Sequence, residues 1–234
     1  MKRLVVLLVA KADLDAAGFR AAMEPHAEQF AKTCASIGAT CRYGFQSQPD
    51  PLAAAAGDRV VVPVHGLLEA TLPEGSEVGR LMSLVEHFAL RTTDAVDRTQ
   101  TAVLVGDAHV VFPDRGSVML LLGTRRLPTL DAEGFNDYWL NKHAPLALSM
   151  MSDEDKAAQG YIQLHADAEL SRQASGVAGL ENHFYDGVLQ CTVEDIPTFL
   201  RIHANPEFDA VMYADEENFV DRSSDFRGAF LELV

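Results

Sequence analysis

The sequence predicts an α+β fold built from two copies of one β-α-β-β-α-β unit. The pattern Leu-Asp-Ala-x-Gly-Phe occurs at residues 14–19 and again at 130–135, and a His-Ala pair follows each copy. A second pair of related segments lies at 95–99 and 219–223. Both spacings are close to half of the 234-residue chain, which is too long for a solenoid and indicates a duplicated domain.

The first unit is predicted at residues 1–114, with its boundary near Asp114. An apolar run at 4–10 predicts a buried strand, and an alanine-rich segment that stops at Gly38 predicts a helix. Pro63 indicates that its strand lies at a sheet edge or contains a bulge. At Gly106 the sequence is compatible with either one long strand or a hairpin. The further elements are a helix at 16–37, strands at 40–46, 59–68 and 102–112, a loop at 47–58, and a helix at 76–90.

The second unit is predicted at residues 115–234, and it repeats the alternation of strands and helices. This alternation is typical of an antiparallel sheet with helices on one face. Strands are expected at 117–122, 161–165, 185–192 and 227–234. Helices are expected at 131–144, 194–204 and, with a loop, 206–218, and residues 147–158 are helix or loop. A polar loop is expected to follow the strand at 161–165 and to run through Gly179.

The helix at 131–144 carries the densest cluster of aromatic and titratable side chains. Phe135, Trp139 and His143 recur every four residues, and Tyr138 lies beside them, so all four form one stripe. Thr129 or Asp131 can cap the start of this helix. Pro145 disfavours helical geometry at the preceding residue, so we expect the helix to stop or kink there. His143 would then lie near a helix C-terminus, where the dipole favours an imidazolium.

Composition excludes several classes of partner. A formal net charge of −15 argues against nucleic acid, anionic membranes and polyanionic substrates. The three cysteines lack CxxC spacing, and no apolar run approaches the roughly 18 residues that span a bilayer. Residues 1–12 can be interpreted as a short signal peptide with an Ala-x-Ala site, but the internal repeat favours a first strand. We therefore predict a cytoplasmic protein with reduced thiols.

Two motifs in the second unit resemble a known family. The segment F-x-x-Y-W-x-x-x-H-A-P-L at 135–146 and the strand G-Y-I-Q-L-H at 160–165 are similar to the EthD family of the dimeric α/β-barrel superfamily. The resemblance implies two tandem ferredoxin-like repeats that form an intramolecular dimeric α/β barrel. The first repeat, 1–114, is degenerate because it keeps His26 but lacks the Tyr-Trp pair and the Tyr-x-Gln-x-His strand.

The strand at 161–165 supplies the candidate pocket residues. Tyr161, Gln163 and His165 share one face, and Ile162 and Leu164 share the other. If the apolar face meets the helices, the polar face points into the barrel and lines a ligand cavity. Two alternatives remain: the three polar side chains bond one another, or they lie on a solvated outer face.

The resemblance also implies roles for the motif residues. It makes His143 and His165 an acid–base pair, with Tyr138, Trp139, Tyr161 and Gln163 as substrate-binding residues. The remaining histidines lack metal-ligand spacing, and we predict neither metal nor other cofactor. A metal held by His143, His165 and Asp186 and a haem without an identified axial ligand are lesser alternatives. The acidic run 215–217 is most simply interpreted as part of a solvated surface.

The expected function is that of a cofactor-independent enzyme. It would act by proton transfer on a small apolar or aromatic organic molecule, as a cyclase, dehydratase, isomerase or monooxygenase. The alternative is a non-catalytic member of the fold that binds a small ligand or serves as a structural module. The expected partner is a small organic molecule, and a homodimer is left open.

Overall fold

The computed structural model describes residues 1–46, 52, 60–87 and 94–234. The predicted loop at 47–58 lies outside these residues apart from Leu52, as does the end of the predicted helix 76–90. The strands are β1 (Lys2–Leu8), β2 (Thr40–Phe45), β3 (Val61–Pro63), β4 (Gly66–Thr71), β5 (Ala102–Phe112), β6 (Val118–Thr124), β7 (Gln159–Ala166), β8 (Gly187–Val193) and β9 (Phe226–Leu233). The helices are α1 (Ala16–Ser36), α2 (Gly79–His87), α3 (Ala132–Tyr138), α4 (Ala144–Ser149), α5 (Asp153–Ala158), α6 (Ala168–Ala178), α7 (Ile196–Ile202) and α8 (Pro206–Glu216), and a π turn (Trp139–His143) joins α3 to α4.

Eight of the described strands form a closed antiparallel barrel. Their order is β2-β4-β1-β5-β7-β8-β6-β9, and pairing between β2 and β9 closes the ring. The short strand β3 pairs in parallel with β9 and ends at Pro63. The strands of the first half follow the order β2-β4-β1-β5, and those of the second half follow β7-β8-β6-β9.

The apolar side chains of the barrel fall into an inner and an outer set. Alternate residues of every long strand except β2 fill the interior, among them Val5, Leu104, Leu121, Leu164 and Leu231. The other face of the first half packs against α1, α2 and α6, and that of the second half packs against the helices of the second half. Because both faces of the strand are covered, residues 4–8 of β1 form a continuous apolar run, as predicted for a buried strand.

A buried polar network occupies one end of the barrel interior. Glu69 accepts two hydrogen bonds from Arg42, at 2.9 and 3.0 Å, and one from Gln190 at 2.6 Å. Arg3 donates to Gln190 at 2.7 Å and lies 3.3 Å from Glu69. The network joins β1, β2 and β4 of the first half to β8 of the second half, so it links the two halves through charge-assisted bonds.

Three sequence predictions about the elements are corrected by the structure. The strand expected at 59–68 is two strands separated by Val64 and His65, because β3 pairs with β9 whereas β4 pairs with β1 and β2. The polar loop before Gly179 is helix α6, whose small residues Ser171, Ala174, Ser175 and Ala178 pack on the sheet. The hairpin left open at Gly106 does not form: β5 runs straight through. A Cβ at Gly106 would lie 2.0 Å from the carbonyl oxygen of His165, so only glycine fits beside β7.

The motif helix also differs from the prediction. It does not stop at Ala144: the π turn carries it into α4, which ends at Ser149. The Ala144 N–H bonds the carbonyl of Trp139, five residues back, and this wider turn accommodates Pro145, which lacks an N–H. His143 therefore lies within a continuous helical run, and the predicted C-terminal dipole effect does not apply to it. Among the described residues, no helix is both long and apolar enough to cross a bilayer.

Candidate functional site

A cavity of about 430 Å³ lies between the sheet of the second half and the helices that cover it. Its floor is the outer face of β6, β7 and β8, and its walls come from the π turn, α4, α7 and α8. Most of its lining is apolar, including Leu120, Leu189, Phe199, Phe208 and Met212. Among the described residues, eight polar side chains also border it: His143, Gln159, Tyr161, His203, Asp209, Tyr213, Glu216 and Arg222. This volume and composition are typical of a site for a small organic ligand.

His143 and Asp215 form a hydrogen-bonded pair beside the cavity. The His143 Nδ1 atom lies 2.7 Å from Asp215 Oδ2, and both side chains are largely buried, with 12% and 14% of their areas exposed. The other carboxylate oxygen, Oδ1, accepts a hydrogen bond of 2.9 Å from the Tyr138 hydroxyl. Because a carboxylate only accepts, Asp215 selects the tautomer with the proton on Nδ1 and leaves Nε2 as a base.

This arrangement corrects the interpretation of the acidic run 215–217. Asp215 lies on α8 and points at the π turn rather than into solvent. The pairing was not predictable from the sequence, because 72 residues separate the partners. The π turn presents His143 toward α8, and turns of this type are frequent at functional sites.

The face assignment of β7 was wrong. Leu164 packs among the side chains that fill the barrel, whereas Tyr161 packs with Ala144 under the helices. Tyr161, Gln163 and His165 therefore lie on the helix-covered face and not in the barrel. Polarity did not distinguish the faces, because a closed barrel covered by helices buries both sides of each strand.

The three polar side chains of β7 bond one another in a row. Gln163 Nε2 donates to the Tyr161 hydroxyl at 2.6 Å and to the carbonyl of Trp139 at 3.3 Å. The Nε2 atom of His165 lies 3.0 Å from Gln163 Oε1. Tyr161 borders the cavity, and the other two lie behind it. Burial raises the pKa of Tyr161, so its phenol stays neutral at pH 7.

His165 and His143 do not meet in one pocket. The described lining includes His143 but not His165, which stacks on Trp139 with 5.4 Å between ring centroids. His165 also contacts His109, at 4.4 Å between centroids. Burial, with the neighbouring His109 charge second, lowers the pKa of His165 to about 4. The predicted acid–base pair is therefore wrong as a pair, and His165 has a supporting position.

Trp139 and Tyr138 take different positions from those expected of ligand-contacting residues. Trp139 is 3% exposed and packs on Phe135 with 5.6 Å between centroids. A Cβ at Gly187 would lie 2.2 Å from the Trp139 ring, so β8 needs glycine at this position. Tyr138 stacks on Phe219 and reaches the site only through its hydroxyl on Asp215. Neither ring borders the cavity in the described residues.

The other polar lining residues were not identified from the sequence. Gln159, His203, Glu216 and Arg222 lie on four different segments, so no local pattern connects them. Arg222 bonds Glu216 through Nη2 at 2.5 Å, and its guanidinium lies 3.3 Å from the centroid of Tyr213. Within the part of the chain that the structure describes, its buried Nη1 atom has no hydrogen-bond partner.

The donor set of the site was compared with what a metal or haem requires. Among the described residues, no three His, Cys, Asp or Glu side chains are arranged to hold a metal ion. Asp186, the third member of the metal site considered above, is instead paired with Arg126. A haem needs only one axial histidine, and His143 with Nδ1 on a carboxylate has the arrangement typical of metal-ligating histidines. The residues present therefore fit a haem held through His143.

Comparison with known families identifies the domain that carries the cavity. Residues 127–223 match the EthD domain. This range includes β7, β8 and the helices around the cavity, together with the eight polar lining residues. No curated protein matches the chain.

Solved structures of low sequence identity share the fold of the whole chain. An anthrone oxidase-like protein gives a TM-score of 0.59 at 7% identity, and the match covers 100% of this chain and 90% of that one. A dye-decolorizing peroxidase from Bacteroides thetaiotaomicron gives 0.57 at 11% identity, covering 100% and 92%. A chlorite dismutase from Candidatus Nitrospira defluvii gives 0.53 at 7% identity, covering 100% and 91%. These structures are dimeric α/β-barrel proteins, and at such identities the likeness shows the fold alone.

Proposed function

We propose that this chain, which carries an EthD domain within a dimeric α/β-barrel fold, is an enzyme that acts by proton transfer on a small, largely apolar organic molecule. The observation that carries the proposal is the His143–Asp215 pair at the edge of an apolar cavity. A histidine held by a carboxylate in a partly dry site is suited to general acid–base catalysis near neutral pH.

His143 is the base in this proposal. Its Nε2 atom removes a proton from a carbon that is conjugated with a carbonyl group of the substrate. The electron pair of the broken C–H bond moves into the conjugated system, and negative charge develops on the carbonyl oxygen. Asp215 stabilises the imidazolium that forms, since its carboxylate lies 2.7 Å from Nδ1.

Two donors are placed to stabilise the developing charge. The Tyr161 oxygen already accepts a hydrogen bond from Gln163, so its own proton is available for the substrate oxygen. Arg222 borders the same cavity and carries a buried Nη1 that, among the described residues, is without an acceptor. Preorganised donors of this type are often the largest contribution to catalysis. In this proposal His165 has a positioning role, because it orients Gln163 and through it Tyr161.

The lining defines the substrate class. Leucine, methionine and phenylalanine side chains surround the polar groups, which favours an aromatic or polyketide-like body. The similarity to an anthrone oxidase-like protein makes anthrone the first compound to test. Anthrone has an acidic carbon conjugated with a carbonyl group, as the proposed step requires.

The proposed enzyme uses no cofactor. A haem held through His143 would supply one-electron and oxygen chemistry at the same place. Protein purified with a stoichiometric haem would contradict cofactor independence.

The chain is further proposed to consist of two tandem ferredoxin-like repeats, 1–114 and 115–234. The equivalent strand orders of the halves support this proposal, as does the repeated Leu-Asp-Ala-x-Gly-Phe segment. In both copies an aspartate caps a helix, Asp15 on Gly18 and Asp131 on Gly134, each at 2.7 Å. The first repeat then completes the barrel, and the second holds the site.

Hydrogen–deuterium exchange tests the proposed reaction. Anthrone is incubated in D₂O without oxygen, and loss of the proton signal at its acidic carbon is followed by NMR. The protein should accelerate exchange well beyond an equal concentration of imidazole. Binding of anthrone without acceleration would contradict the proposal and favour the alternative, a non-catalytic protein that binds a small ligand.

A further inference from the structure

Gln159 borders the cavity and carries a buried hydrogen-bonding atom without a partner among the described residues. The residue opens β7 and is 3% exposed. Its Nε2 atom contacts the sulfur of Met151 at 3.2 Å. Its Oε1 atom is buried and, within the described chain, has no hydrogen-bond partner. A buried amide oxygen without a donor is costly, so the site is suited to a ligand that brings one.

His203 borders the same cavity and carries a second unpartnered atom among the described residues. Its ring is fixed between two aromatic side chains, stacked on Phe199 at 4.1 Å and edge-on to Phe208 at 5.3 Å between centroids. Its Nε2 atom is buried and lacks a partner among the residues that the structure describes. Burial lowers the pKa of His203 to about 4, so the imidazole is neutral at pH 7 and has one donor and one acceptor nitrogen.

We infer that Gln159 and His203 form a recognition subsite for a hydroxyl group on an otherwise apolar ligand. The inference deepens the proposed function and rests on it for the use of this cavity. A hydroxyl group both donates and accepts hydrogen bonds, so it can donate to the Gln159 oxygen and pair with the neutral imidazole. A carboxylate fits less well, because it has no proton to give to Oε1.

The position of the subsite predicts where the hydroxyl lies on the ligand. Gln159 and Tyr161 are two residues apart on β7, so their side chains point the same way and are separated by roughly 7 Å along the strand. We assign His143 to the Tyr161 end of the cavity, because its neighbour Ala144 packs against Tyr161. Met151, which contacts Gln159, lies further along the helical segment. The recognised hydroxyl is therefore roughly one fused-ring length from the reacting carbon.

A pair of aromatic probes tests the subsite. 2-Naphthol and 2-methylnaphthalene have similar size, but only the first carries a hydroxyl group. Calorimetric titration of the full chain should show 2-naphthol binding about 5- to 10-fold more tightly, the preference expected of one satisfied hydrogen bond. Gln159→Met and His203→Phe should each bring the two affinities within about twofold of each other. Both substitutions conserve approximate volume, and thermal unfolding checks that each variant folds.

Met212→Leu is the matched control. Met212 borders the cavity through apolar contacts, so its substitution should change the affinity for both probes by the same factor. Equal affinities in the wild type, binding of neither probe, or a preference that persists in both variants would overturn the subsite. Failure of the proposed reaction is recognised separately: anthrone exchange would be absent while the naphthol preference remained.

Discussion

The Nδ1 atom of His143 lies 2.7 Å from Oδ2 of Asp215, although 72 residues separate them in the sequence. The π turn and helix α8 bring the two side chains together at the edge of the apolar cavity. The hydroxyl of Tyr138 holds the second carboxylate oxygen, so the orientation of Asp215 is fixed from two sides. This pair is the basis of the proposed chemistry, and each of its members can be tested separately.

Replacing the proposed base, His143, should abolish the exchange reaction without changing the fold. For His143→Ala we expect the rate of anthrone exchange to fall by about 100- to 10,000-fold, the usual effect of losing a general base. The matched control is His26→Ala, since His26 follows the equivalent repeat in the first half. Exchange in that variant should equal the wild-type rate. Wild-type exchange in His143→Ala, or an equal loss in His26→Ala, would contradict a specific role of His143 as the base.

Substituting the orienting carboxylate should act on turnover more than on binding. Asp215→Asn keeps the volume but presents an amide that can donate to Nδ1, which favours the wrong tautomer of His143. We expect kcat for anthrone exchange to fall by about 100-fold or more. KM should change little, because Asp215 touches the base rather than the ligand. Tyr138→Phe removes only the second hydrogen bond to Asp215 and should have a smaller effect. Retention of full activity by Asp215→Asn would exclude the orienting role.

The charged network inside the barrel should matter for stability and not for reaction. Glu69 is 2% exposed and bonds Arg42 and Gln190, with Arg3 at 3.3 Å. Glu69→Leu would leave the Arg3 guanidinium buried without a carboxylate and Arg42 with only Asp114, so the free energy of unfolding should fall by about 3–5 kcal/mol. Chemical denaturation measures this change.

The control for the network is the exposed ion pair of Glu169 with Arg172 on α6. Glu169→Ala should change stability little, because exposed pairs contribute little. A Glu69→Leu protein as stable as the wild type would mean that the network does not hold the two halves together.

Stability should depend on pH through His203. Burial lowers the pKa of His203 from 6.5 to about 4, and the charges of Asp209 and Asp155 oppose this shift only partly. Between these two values the unfolded state binds a proton that the folded state does not. The free energy of unfolding should therefore fall as pH decreases from about 6.5 to about 4. His203→Phe should make this dependence shallower, whatever its effect at pH 8. If His203→Phe left the pH dependence of the free energy of unfolding unchanged, His203 would have to be solvated in the folded protein.

Several parts of the fold were predictable because local physics determines them. The apolar run of β1 specified a strand buried on both sides, and Gly38, with φ of 73°, specified the end of α1. The cap expected at Thr129 or Asp131 is confirmed at Asp131, and Asp15 caps α1 in the same way. Helix α6 was missed because its buried residues Ser171, Ala174 and Ser175 are small, which leaves a weak apolar signal.

The site was predictable only in part. The motif identified His143 and Tyr161, which border the cavity. The face of β7 could not be assigned from polarity, because Gln163 and His165 are buried by partners on the helix-covered side. Asp215 could not be identified as the partner of His143 from the sequence, because only tertiary packing brings the two residues together. Because Asp215 lies in a run of three acidic residues, the sequence alone predicts that it is exposed to solvent.

Histidine-selective ¹⁵N NMR with added 2-naphthol reports on the proposed base itself. In the proposed site, Asp215 holds the proton of His143 on Nδ1, and Nε2 faces the ligand cavity. We expect the neutral His143 ring to show the Nδ1-protonated tautomer, and its Nε2 signal to shift as 2-naphthol saturates the protein, while the His26 signals stay unchanged. A neutral His143 protonated on Nε2, or a His143 signal that does not respond while the ligand binds elsewhere, would contradict the account.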